Sequence, residues 1–203
     1  MKRVILAVVA ACTVSSCTTV DNFGAYWDKG IVDPALEGTW KKVGLPGENI
    51  DSIPGADTRR FTRDGTAYLA QELNPIDPAA PLDLRARQQA DDDRQSAVRT
   101  LRIGNTLLMM VRSPDGKGRG MITRYDIHGT TLREYWIENS RALAFLAMRP
   151  VEAKNIRRNV GEGAYVVIGT FDDEVFQVLS EWSANPRYWR LNCEYQKMPV
   201  EGR

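Results

Sequence analysis

The sequence predicts a β-rich α+β fold: an antiparallel up-and-down meander or barrel, with two or three short helices in the C-terminal third. Three observations predict it. Turn residues recur at short intervals between alternating segments before Glu138; helical signals gather only after it; and the last segment alternates again. With 43% hydrophobic residues the chain can bury a real core, and its length suits one domain.

Taken in order, Gly38–Val43 reads as a first strand, and 44–56, holding several Gly and Pro residues, as loop. Thr58–Arg63 and Thr66–Glu72 flank Asp64-Gly65, a two-residue turn in which both positions tolerate positive φ. Ala97–Ile103 and Thr106–Ser113 flank Gly104-Asn105 in the same way. After a glycine-rich loop, Pro114 to Gly120, a third pair forms from Met121–His128 and Thr130–Glu138 around Gly129. Its alternation puts Met121, Thr123, Tyr125 and Ile127 on one face and Arg124, Asp126 and His128 on the other. Residues 74–96 interrupt the meander with Pro75, Pro78, Pro81 and Asp91-Asp92-Asp93. A stretch so long and polar reads as a surface loop, with one helical turn near Leu84–Ala90.

Ala142–Met148 is apolar and ambiguous between strand and helix, and Pro150–Val160 reads as a helix stopped by Gly161. Ala164–Gly169 is a short strand. Thr170 is placed to cap a second helix, with Asp172, Asp173 and Glu174 at its positive end and Val175, Val178, Leu179 and Trp182 as its apolar stripe. Arg187–Lys197 is the closing strand, with Trp189, Leu191, Cys193 and Tyr195 expected to face inward.

The front end differs in kind. Met1-Lys2-Arg3 is basic, Val4–Val14 is uncharged and mostly apolar, and Ser15-Ser16 lead into Cys17. These are the parts of a secretory signal peptide, and the run is shorter than the ~20 residues a spanning helix needs. Val14-Ser15-Ser16-Cys17 resembles the bacterial lipobox. The resemblance implies a lipoprotein cut before Cys17, with diacylglycerol on the sulfur and a third acyl chain on the new amino terminus. Val9-Ala10-Ala11-Cys12 also fits the pattern, but cutting there leaves an apolar stretch of only Val4–Ala11, so Cys17 is preferred. Each buried methylene contributes ~0.8 kcal/mol, so two or more chains hold firmly. The implied organisation is a signal peptide at 1–16, a membrane tether at 17–35 and one domain at 36–199 carrying the 74–96 loop. Thr18 stands where an aspartate would imply inner-membrane retention, so the resemblance implies the outer membrane, periplasmic side.

Removing 16 of 203 residues leaves 187, and losing Lys2 and Arg3 takes the basic count from 27 to 25 against 26 acidic, a mature net charge of −1. That balance argues against a nucleic-acid partner. With Cys17 acylated, Cys193 is left without a disulfide partner and reads as a small buried hydrophobe. His128, alone of its kind, has no histidine partner for a metal and sits on the polar face of its strand. Asp91-Asp92-Asp93 lacks calcium-loop spacing, and no Walker lysine follows Gly116, Gly118 and Gly120. No catalytic residue, metal ligand set or cofactor is expected.

Gly38-Thr39-Trp40 resembles the Gly-x-Trp that opens the first strand of lipocalin barrels. The resemblance implies a barrel whose floor Trp40 closes and which can hold a small apolar ligand. It also implies a late arginine against the tryptophan, which falls at Arg190, although Arg190 alternates onto the face opposite Leu191 and Cys193. The family's second signature turn is not recognisable, and the plainer reading of Trp40 is a buried residue at a strand start. The expected role is thus a non-catalytic one in the envelope, binding a small apolar ligand. The alternative is a protein-interaction or structural module with an exposed aromatic patch of Trp182, Tyr188 or Trp189.

Overall fold

The computed structural model describes residues 18–43, 58–73, 95–117, 119–148, 155–161 and 163–199. The expectations for Cys12, Cys17, the 44–56 loop and 74–94, with its helical turn, lie outside these residues. The elements, in order, are β1 (Thr19–Asn22), α1 (Ala25–Lys29), a 3-10 turn (Pro34–Leu36), β2 (Gly38–Val43), β3 (Thr58–Asp64), β4 (Ala67–Leu73), β5 (Gln95–Ile103), β6 (Thr106–Arg112), β7 (Gly120–His128), β8 (Thr131–Ile137), α2 (Asn139–Ala147), β9 (Ile156–Gly161), β10 (Gly163–Thr170), α3 (Asp173–Ser183), a second 3-10 turn (Pro186–Tyr188) and β11 (Trp189–Lys197).

Strands β2 to β8 form the up-and-down meander, each antiparallel to the next, and β11 closes it by pairing with both β8 and β2. The result is an eight-stranded antiparallel barrel with no open edge of its own. The first hairpin turns one residue later than the sequence suggests: Asp64 pairs with Ala67, so Gly65-Thr66 is the turn, with Gly65 at φ +56°. Glycine first in a two-residue loop supplies the positive φ that Asp64 was expected to share. Arg63 then pairs with Tyr68 rather than Thr66, a shift of two that keeps every side chain on its face.

β1, β10 and β9 extend the sheet beyond the barrel. β1 lies antiparallel to the start of β7 and parallel to β10, and β10 forms a hairpin with β9. Two expectations change here. The segment read as a helix over Pro150–Val160 ends as a strand, because Ile156–Gly161 finds a complete partner in β10, and pairing outweighs local helix signals. Of the segment read as a tether, residues 18–35 pack into the body. Thr18 is 2% exposed, and Val20, Phe23, Tyr26 and Trp27 are buried.

Two cores share the barrel wall. One fills the lumen. The other lies outside, where Leu101, Leu108, Met110 and Ile122 of the wall meet β1, β10, α1, α2 and α3. Ambiguous Ala142–Met148 resolves as helix α2, which begins at Asn139. α3 buries the stripe expected of it, but its N-cap is Asp172, whose carboxylate accepts the Val175 N–H at 3.0 Å, rather than Thr170, which remains in β10.

Candidate functional site

One end of the barrel is shut. The hairpin tips, the start of β2 and the end of β11 meet there, and residues 31–36 cross it. Ile31 bridges Thr100 through two 2.8 Å backbone hydrogen bonds, the Tyr125 hydroxyl donates to Asp33 at 2.7 Å, and Leu36 is fully buried. Above this plug Trp40, Phe61, Tyr68, Met109, Tyr125 and Leu132 fill the lumen, none more than 1% exposed. Trp40 donates its indole N–H to the Leu36 carbonyl at 2.7 Å, so the Gly-x-Trp motif does sit at the barrel floor. Gly38 adopts φ +121°, and a side chain there would meet Lys197 Cε at 3.0 Å. The cation over the Trp40 ring is Lys197, its Nζ 5.1 Å from the centroid. Arg190, the residue the resemblance offered for that place, is exposed and pairs across from Trp136 near the other end.

The closing strand corrects a second expectation. Leu191 pairs with Tyr135, but Cys193 pairs with Glu134, so Asn192 is an extra residue in β11. Such a bulge reverses the alternation on either side. Cys193 and Tyr195 face the lumen, while Trp189 joins the helix-covered core, its indole N–H donating to the Trp182 carbonyl at 3.0 Å. Trp182 is fully buried, Trp189 is 7% exposed, and Tyr188 is half-buried, stacked on Trp182. The residues offered as an exposed aromatic patch thus form part of a core.

Toward the open end the lumen wall changes character. Arg59 lies two residues before Phe61 on the same face, Glu72 is its cross-strand partner, and Glu134 follows Leu132 on β8. Arg59 Nε donates to Glu72 at 2.5 Å and Nη1 to Glu134 at 3.1 Å. Its side chain is 16% exposed and that of Glu134 only 2%, whereas Glu72 reaches solvent at 41%. Burial opposes the charge on Arg59, but Glu134 and then Glu72 outweigh it and hold the guanidinium charged above its ordinary range. The Tyr195 ring lies 5.3 Å from the guanidinium carbon. Burial pushes the Tyr195 hydroxyl and the Cys193 thiol up, so both are neutral at physiological pH. Ala70, one step above the buried Tyr68 on β4, is half-buried, as are Val111 and Trp136. Thr123 is fully buried on this wall, and its hydroxyl has no hydrogen-bond partner among the described residues.

His128 lies at the shut end, its side chain 73% exposed and 3.8 Å from Asp126. Sequence reading did not single out Arg59, Glu72 and Glu134. The signal was present, since Arg59-Arg60-Phe61 and Leu132-Arg133-Glu134 each place a charge on the strand face that carries the apolar residue. Set against known proteins, the chain matches no protein-family model, no curated protein and no solved structure.

Proposed function

We propose that this is a lipid-anchored envelope protein with a non-catalytic role, whose barrel binds a small molecule at its open end. The lipobox-like Val14-Ser15-Ser16-Cys17 supports the anchor and, with Thr18 following it, the periplasmic face of the outer membrane. The observation that carries the binding role is the Arg59–Glu72–Glu134 network on the inner wall of a closed barrel. Apolar residues of similar volume stabilise a core as well as a buried ion triad does, so packing alone gives no reason for charges here. The lower lumen is filled, so the ligand sits higher than in an empty barrel. Its apolar body rests against Ala70 and Val111, and a polar group meets the Arg59–Glu72 pair and the Thr123 hydroxyl.

Ala70→Trp tests this reading, because the indole would occupy the proposed space. The probe is 1-anilinonaphthalene-8-sulfonate, an aromatic sulfonate with an apolar body and an anionic group. The native protein should bind it saturably, one to one, and Ala70→Trp should lose that binding while keeping its melting transition. Binding that never saturates, or that survives Ala70→Trp, contradicts the reading.

A further inference from the structure

The outer face of α2 is unusual for a helix facing water. Its exposed positions are Ser140, Arg141, Ala144 and Ala147, followed by Met148 at 77% exposure, and the helix contains no acidic residue. Leu143, Phe145 and Leu146, which pack toward the outer core, are themselves only half-buried. A surface helix ordinarily carries charges on this side. An exposed helical face with Ala144, Ala147 and Met148, whose one charge is the cation of Arg141, fits a helix lying in a lipid interface. Arg141 Nη1 donates to the Arg187 carbonyl at 3.0 Å, and both side chains are exposed.

The position of α2 says which surface it meets. Asn139, its first residue, accepts the Val166 N–H at 3.1 Å, and the next residue, Val167, pairs with Thr19 of β1. α2 therefore starts beside the point where the chain joins the sheet. Thr18 is 2% exposed, and its carbonyl accepts the Ile122 N–H, so no free spacer separates it from Cys17. An acyl chain on Cys17 would hold this corner of the domain against the bilayer.

We infer that α2 rests in the membrane surface beside the anchor, with Ala144, Ala147 and Met148 among the lipid headgroups and upper acyl chains and Arg141 and Arg187 at anionic phosphates. The inference rests on acylation of Cys17, part of the function proposed above. It fixes the orientation of the protein on its membrane.

The test uses the full chain, purified from membranes and reconstituted into phosphatidylcholine–phosphatidylglycerol vesicles with brominated acyl chains. A fluorophore is attached at Ala147→Cys, or at Asn105→Cys on the β5–β6 tip as reference, each in a Cys193→Ala background. Bromolipid should quench the label at 147 several-fold more than the label at 105. Adding Ala144→Glu and Met148→Glu should abolish the difference while the protein stays on the vesicles. Equal quenching at both sites in acylated, vesicle-bound protein overturns the inference and leaves the anchor standing. Shielding of the 147 label from an aqueous quencher without bromolipid quenching also overturns it, because a protein surface then covers α2. A mature chain without acyl groups, read from its mass, overturns the anchor and the inference together.

Discussion

Arg59 illustrates how much one lumen residue decides. Its Nη1 donates to Glu134, whose side chain is only 2% exposed, and removing it would leave that carboxylate buried without its partner. Arg59→Met should cost about 3 kcal/mol, while Arg59→Met with Glu134→Leu should recover most of it, because the orphaned charge goes too. Chemical denaturation of both variants checks this. Equal losses in the single and double variants would mean that the pair is not coupled. Other buried side chains make the fold sensitive to alkaline pH. Burial raises the Cys193 thiol and the Tyr125 and Tyr195 hydroxyls, and burial, then Asp173, raises Tyr26 to about 12. Each is an acid that holds its proton more tightly when folded. The unfolded chain therefore releases protons first as pH rises. The stabilisation is complete below the ordinary thiol and phenol values and is lost as pH climbs through the native ones. The melting temperature should fall steadily from about pH 9 to pH 12, and Cys193 should become reactive toward a thiol reagent as the protein opens. A melting temperature constant across that range, with Cys193 reactive in the native state, would count against these environments.

At the scale of elements, the meander was legible because each hairpin combines a glycine turn with period-two alternation. The helix stripe Val175–Val178–Leu179–Trp182 was legible for the same kind of reason. What failed depended on partners distant in sequence. The β11 bulge at Asn192 leaves no local mark, since Trp189, Leu191, Cys193 and Tyr195 alternate perfectly in sequence; only pairing with β8 sets Trp189 in one core and Cys193 and Tyr195 in the other, with Leu191, opposite Tyr135, half-buried. β9 carries helix-like end signals and becomes a strand because β10 lies beside it. β1 is too short to announce itself, yet Val20 is fully buried between β7 and β10. Val20→Ala should therefore cost about 2 kcal/mol and lower the melting temperature by roughly 4–8 °C. A spacer residue would tolerate the change without effect, and an unchanged melting temperature would restore the tether reading.

Across the whole molecule, β5 shows how the two cores are joined. Val98 faces the lumen, and Leu101 and Ile103 face the helices, so the one strand contributes to both cores. Closure was legible in the final alternating segment, and the floor in Gly38 and Trp40. The open end was not, because Arg59, Glu72 and Glu134 come together only when β3, β4 and β8 curve round one lumen. The proposed anchor ties these features to a place in the cell, and the orientation of the domain depends on it. Intact mass spectrometry of the protein extracted from membranes measures it directly. The expected mass is that of a chain beginning at Cys17, heavier than its residues by a diacylglycerol and one further acyl chain. A mature chain beginning at Cys12, or one beginning elsewhere without acyl groups, would contradict it.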